Sequence, residues 1–266
     1  MNCQTQNISK KVWHFSYIDN TWQNEKVLKC LQKSKSIRTI FSPIPGLGPS
    51  SESFVDACIS RFRYMRVLDL SDSCFKVLPS SISTMKHLRW LDLSGNCRIK
   101  KLPNSICKLQ NLQTLALDGC ENLEELPKDI RYMINLRWLY ITSKQKSLPG
   151  SLNSLRFLVL INCGNIESLF EGIQGYTCLR MLVIMNCGGL ISLFPKLKCL
   201  TALEVLGIAN CEKVDLTEGE DNQEQFTMSL LRVVIFSESP QLVALPQWFK
   251  WSSRTLQCMV IEDCPN

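Results

Sequence analysis

The chain has few of the features that announce most functions. It contains no run of about 18 apolar residues, so no membrane-spanning helix is expected. The first twenty residues, MNCQTQNISKKVWHFSYIDN, lack an apolar core and a small-residue cleavage site, which argues against a secretory leader. A single N-x-S/T sequon, at Asn7, is thin support for glycosylation. Only two histidines occur, His14 and His87, each beside an apolar strand start. Both read as packing or surface groups rather than general bases. The Gly46–Gly48 stretch has no lysine and makes no phosphate-cradling loop. Serine-elbow, zinc-protease and dinucleotide fingerprints are missing as well. No enzyme activity and no cofactor are therefore expected.

Charge is scarce where it would matter for nucleic acid. The net charge is +6, but residues 1–64 hold nine Lys/Arg against four Asp/Glu, and the remainder 21 against 20. A nearly neutral body argues against a phosphate-backbone binder. Cysteine, in contrast, is abundant at 14 residues, yet no C-x-x-C pair occurs, so a zinc site is not expected. With no leader, disulfides are not expected either. A reduced cytoplasmic or nuclear setting fits better.

What the chain does have is a repeat. From Leu88, LRWLDLSGNCRIKKLPNSICKLQN is followed by LQTLALDGCENLEELPKDIRYMIN and then LRWL again, a period of 24 residues. Leucines fall at relative positions 1, 4 and 6, with Asn or Cys at 9, a further apolar residue at 12, and then Leu-Pro. This is the leucine-rich-repeat signature. A single such unit cannot bury its leucine face, so it implies a stacked array. Position 1 falls at Met65, Leu88, Leu112, Leu136, Leu155, Leu179, Leu203, Leu231 and Leu256. The expected fold is an α/β leucine-rich-repeat solenoid (horseshoe). Its parallel β-sheet lines the concave face, and short helical or 3₁₀ returns lie on the convex face.

The Leu-Pro pairs at Leu78, Leu102, Leu126, Leu148 and Leu245 should open those returns, because proline fixes φ and donates nothing to a ladder. Residues 1–64 are less regular. Val12/Phe15/Tyr17 and Ile37/Ile40/Ser42 fit the strand spacing, residues 20–35 fit a short helix or return, and Pro43–Ser53 reads as a loop. This divides the chain into an irregular N-terminal lead-in, 1–64, and about nine repeats, 65–266. The unit from Leu136 has only 19 residues and should close in a tight turn. The unit from Leu203 carries an acidic insertion, TEGEDNQEQF, expected as a solvated loop. No polar terminal repeat follows the last strand, so the C-terminal end is expected to be uncapped and the chain truncated.

Three columns of side chains are candidates for function. Position 9 (Ser73, Asn96, Cys120, Lys144, Cys163, Cys187, Cys211, Ser239, Cys264) should turn inward and bond backbone groups that no ladder satisfies. Positions 3, 5 and 7 should face outward by strand alternation. They are mixed and acidic early, with Asp69 and Asp92, aromatic at Trp138/Tyr140, and almost entirely apolar from Phe157. Such a patch exceeds what a soluble monomer normally exposes, unless neighbouring side chains cover one another. Trp90, Trp138, Tyr140, Phe157, Ile161, Met181, Met185 and Ile235 form the candidate protein-binding face. Position 2 gives a candidate basic edge of Arg66, Arg89, Arg137, Arg156, Arg180 and Arg232. Stacked arginines repel, so this edge is either a solvated rim or a dock for an acidic partner.

At VLDLSDSCFKVLPSSISTMKHLRWLDLSGN and LALDGCENLEELPKDIRYMINLRWLYI, the chain resembles the repeat region of plant intracellular nucleotide-binding leucine-rich-repeat (NLR) disease resistance proteins, coiled-coil class. VWHFSYID is similar to the segment that leads into the repeats in that family, and TSKQKSLPGSLNSLRFLVLINCGNIESL to its middle repeats. The resemblance implies a sensor and autoinhibitory module for plant defence. Its partner would be a pathogen effector, a guarded host protein or the nucleotide-binding module of a receptor. That module's P-loop and Met-His-Asp motif are missing here, so this chain is not expected to bind ADP or ATP. A general intracellular repeat scaffold that binds a small GTPase or a signalling enzyme is the alternative. A receptor ectodomain fits poorly, because its leader, cysteine-paired caps and multiple sequons are missing.

Overall fold

The computed structural model describes residues 12–16, 34, 36–46, 48–49, 52–150, 152–170, 175–191, 193, 197, 199–216, 228–246, 249 and 254–264. Thirteen strands lie among them: β1 (His14–Ser16), β2 (Thr39–Phe41), β3 (Val67–Asp69), β4 (Trp90–Asp92), β5 (Thr114–Leu117), β6 (Trp138–Ile141), β7 (Ser147–Leu148), β8 (Phe157–Ile161), β9 (Ser168–Phe170), β10 (Met181–Met185), β11 (Val205–Ala209), β12 (Val233–Ser237) and β13 (Cys258–Glu262). Eleven of them form one parallel sheet in strict chain order, β1-β2-β3-β4-β5-β6-β8-β10-β11-β12-β13. β7 and β9 pair separately in two neighbouring returns. The expected solenoid fold is the one observed.

The register explains why the leucine template was so regular. Leu68, Leu91, Leu115, Leu139, Leu158, Leu182, Leu206 and Val234 align as one column across consecutive strands. Positions 1, 4 and 6 of every repeat from Met65 to Phe236 are no more than 1% exposed. Each such side chain contributes about 1.5–3 kcal/mol by leaving water. Among the described residues no strand pairs with the outer edge of β13, and its Met259 and Ile261 are 44% and 45% exposed.

The Leu-Pro returns form as anticipated in the regular repeats. 3₁₀ helices run Ser80–Thr84, Asn104–Lys108 and Lys128–Tyr132, each capped by its proline. The carbonyls of Pro79, Pro103 and Pro127 accept the amides of Ile82, Ile106 and Ile130 at 3.0 Å, and these isoleucines are fully buried plugs. At Pro246 the same carbonyl accepts from Phe249, so the plug there is aromatic. The 19-residue unit has no room for a helix and returns through the two residues of β7 rather than through a simple turn. There Gln145 turns inward and accepts the Leu126 amide at 3.1 Å.

In the lead-in, β1 and β2 extend the sheet through Phe15↔Ile40↔Leu68. The expected loop at Pro43–Ser53 ends earlier than predicted. Glu52–Arg61 is an α-helix, α1, with Phe54, Val55, Cys58 and Ile59 buried. That spacing is an amphipathic 3.6-residue period, legible in principle but hidden by the proline and glycine before it. Most of the possible helix at 20–35 and the whole acidic insertion at 217–226 lie outside the described residues.

Candidate protein-binding face

The outer face of the sheet carries three rows of side chains, because strand residues alternate and the register is unbroken. Row 3 runs Val67, Trp90, Thr114, Trp138, Phe157, Met181, Val205, Val233 and Cys258. All eight candidate face residues lie on this surface and none is fully buried. Trp90, Met185 and Ile235 are 42%, 38% and 39% exposed. Trp138, Tyr140, Phe157, Ile161 and Met181 are half-buried because they cover one another in part. Trp138 stacks on Phe157 with ring centroids 3.5 Å apart and planes 10° apart, and Tyr140 lies 6.4 Å from Trp138. Exposure and mutual covering therefore coexist on this face. The aromatic cluster packs itself, while Met185 and Ile235 project.

The early repeats present a different surface. Asp69 is satisfied by the Ser42 amide at 2.9 Å and by the Ser71 amide and hydroxyl at 2.9 and 2.7 Å. Asp92 accepts the Ser94 amide at 2.9 Å and the Ser94 hydroxyl, both on one carboxylate oxygen. These bonds pin the turn after each strand, so the two aspartates have a structural role. Burial, opposed by the Ser94 bonds and aided by the charges of Asp69 and Asp118, raises the Asp92 pKa. Burial, and then Asp118, raises that of Tyr140.

Position 9 behaves as the sequence suggests, with one exception. Asn96 donates to the carbonyls of Leu70 and Leu93 at 2.8 and 2.7 Å, and Cys120 to Leu93 at 3.2 Å. Cys163 and Cys211 donate to Ile141 and Ile184 at 3.4 and 3.9 Å. The thiols are free and buried, and burial pushes Cys120 up to about 12. Lys144 does not join the column. The shortened repeat leaves it exposed, and Ser143, 3% exposed, is buried beside it. An ammonium at that depth would lack a counter-charge.

The turn before this column holds a signal that the leucine template misses. Asp72, Gly95, Gly119, Asn162, Asn186, Asn210, Glu238 and Asp263 all have φ between 47° and 72°. Glycine, asparagine and aspartate tolerate this left-handed geometry, and they recur at position 8 for that reason. Two of the side chains extend the ladder outward: Asn186 donates to Asn162 at 2.8 Å and Asn210 to Asn186 at 3.0 Å.

The basic edge is present and largely unpaired. Arg66, Arg89, Arg137, Arg156, Arg180 and Arg232 are all exposed. Arg180 meets Glu204, the position-2 residue of the next repeat, at 3.5 Å. The other five meet no acidic partner among the described residues. The column also starts earlier than the sequence suggested. The Arg38 carbonyl accepts the amides of Arg66 and Val67, as the Arg66 carbonyl does those of Arg89 and Trp90. The Arg38 guanidinium lies 5.0 Å from the Trp13 ring.

A single parallel sheet built from tandem units of about 24 residues, each closed by a short return, defines a repeat solenoid. The chain belongs to the leucine-rich repeat region family, which matches residues 49–262. Among solved structures, it is similar to internalin C2 of Listeria monocytogenes, at 19% identity and a TM-score of 0.57, over 79% of this chain and 83% of that one. It is also similar to TLR13 in a TLR13–ssRNA13 complex, at 19% identity and a TM-score of 0.68, over 96% of this chain and 36% of that one. At these identities the likeness is one of fold. A search of curated proteins returns no match. Among the described residues, no helix is long and apolar enough to cross a membrane.

Proposed function

We propose that this chain is the protein-interaction module of a plant intracellular immune receptor, with sensing and autoinhibitory roles. One observation carries the interaction reading. Across five adjacent strands, β6, β8, β10, β11 and β12, no outward side chain bears a charge. Solvated sheet faces normally alternate in polar groups, and a broad apolar face marks a surface that meets another macromolecule. Trp138, Tyr140 and Phe157 supply anchors, and Met185 and Ile235 supply adaptable apolar contact. The exposed arginines along the edge contribute steering toward an acidic rim.

The immune assignment rests on the resemblance of the VLDLSDSCFKVLP, LALDGCENLEELPKDI and LPGSLNSLRFLVL stretches to that class. In this reading the partner is a pathogen effector, a guarded host protein or the receptor's nucleotide-binding module, met in the cytoplasm or nucleus. The test is co-expression with a nucleotide-binding module of that class. Association that lowers the module's activity, and is lost in the M185D/I235D variant, is the expected result. No association and unchanged activity overturn the immune reading. Capture of a small GTPase or a signalling enzyme by the same face would favour a general scaffold instead.

A further inference from the structure

The outward face contains two depressions in its middle row, floored by that row's two smallest residues. The first is at Ala116, which is 5% exposed. Register places Asp92 and Tyr140 on either side of it, and Trp90 and Trp138 flank Thr114 in the adjoining row. Asp118 follows two residues on and faces the same way. The second carboxylate oxygen of Asp92 and both oxygens of Asp118 have no hydrogen-bond or ion-pair partner among the described residues. Two open carboxylates beside the exposed indole of Trp90 and the half-buried rings of Trp138 and Tyr140 are the surroundings that attract an ammonium or guanidinium group. The raised pKa of Asp92, due first to burial and then in part to Asp69 and Asp118, marks a like-charge crowding that a cation relieves.

The second depression is at Gly207, in the middle of the five-residue strand β11. Its row neighbours are Val183 and Ile235, and a side-chain carbon added there would come within 3.4 Å of Val183. A glycine inside a strand gives up packing and entropy and marks a close approach by another group. Val205 and Ala209 complete an apolar socket.

The sockets lie on β5 and β11, four strand steps apart in the sheet, or about 19 Å. We propose that this face takes a protein segment bearing a lysine or arginine, seated at Asp92 and Asp118, and a bulky apolar residue, seated at Gly207. Charge complementarity sets the polarity of the segment, because Asp92 and Asp118 flank Ala116 whereas the side chains around Gly207 (Val183, Val205, Ala209 and Ile235) carry no charge. The span sets the spacing at about six residues if the segment is extended and about thirteen if it is helical. The proposal rests on the outward sheet face being the interaction surface.

The test is selection from a library of random 18-residue peptides displayed on phage, with the purified chain as bait. Enriched peptides should share a Lys or Arg and a bulky apolar residue at one of those two spacings. A synthetic peptide of the enriched sequence should lose about tenfold in affinity on D92N/D118N, along with most of its salt dependence. Filling the second socket with G207L should weaken it comparably while leaving the salt dependence in place. Replacing the peptide's basic residue with norleucine, or its apolar residue with alanine, should reproduce each loss without altering the protein.

Enrichment of peptides without a basic residue, or affinity unchanged by D92N/D118N and by norleucine, overturns the proposal. If M185D/I235D abolishes binding while those changes do nothing, the apolar-face reading stands and the two-socket assignment falls. If neither set has an effect, both fall. No enrichment over an unrelated protein overturns the two-socket assignment and leaves the face to be judged by the co-expression assay.

Discussion

The repeats around β3–β5 and those around β8–β12 share one backbone plan and one core, yet they present opposite surfaces. In the first group the strands are three or four residues long, the returns are proline-capped 3₁₀ helices, and Asp69, Asp92 and Asp118 stand on the outer face. In the second group the strands have five residues and the outer face is apolar. The core columns do not register the change: Leu115 and Leu206 are both fully buried. Positions 1, 4 and 6 are fixed by stacking, and positions 3, 5 and 7 are left free to specify a partner. The contrast therefore places the proposed interaction on residues that the core does not need.

If the core is uniform, equivalent truncations should cost alike in the two groups. Leu115→Ala and Leu206→Ala should each lose about 2–5 kcal/mol in urea unfolding. A loss below about 1 kcal/mol at either site would break the equivalence. The thiols offer a second comparison. Cys120, Cys163, Cys187 and Cys211 are buried, while Cys97 and Cys258 are exposed. Alkylation of the folded chain at pH 8 should label the buried set much more slowly in both groups, because the stacked repeats shield these thiols from the reagent. Mass spectrometry of the peptides reads this directly, and rapid labelling of Cys187 would show that the stack opens there.

The inward column varies even within the first group. Asn96→Ala leaves two carbonyls without their amide donor and should cost about 1–3 kcal/mol. Cys120→Ala removes only a weak thiol donor and should cost less. The smallest effect belongs to the acidic face. The folded-state pKa of Asp92 is raised, chiefly by burial. Keeping its carboxylate charged at neutral pH therefore opposes folding, and the penalty fades as pH falls through the raised value toward 3.8. Asp92→Asn retains the acceptor for Ser94 and should raise the melting temperature slightly at pH 7. The gain should shrink as pH approaches 3.8, and a gain that grows on acidification would contradict the assignment.

The core could be read from the sequence because three apolar positions recur at fixed spacing and no other element has that period. The outward rows followed from alternation alone. What alternation does not encode is contact between side chains of different repeats. The stack of Trp138 on Phe157 and the pairing of Arg180 with Glu204 depend on rotamers chosen across strands 19 to 24 residues apart in sequence. The misplacement of Lys144 has a related cause. Counting positions through a shortened repeat assumes the standard turn, and that repeat has no left-handed residue at position 8. Helix α1 is masked in the sequence by the turn-forming residues from Pro43 that precede it, although Phe54, Val55, Cys58 and Ile59 carry the helical period.

The central claim is that the apolar rows serve a partner and not the fold. The most direct measurement is capture of a co-expressed nucleotide-binding module by the M185D/I235D variant, with urea unfolding of the same purified chain. The prediction is loss of capture with an unfolding free energy within about 1 kcal/mol of the parent. Capture equal to the parent's, or a chain destabilised by several kcal/mol, would contradict it.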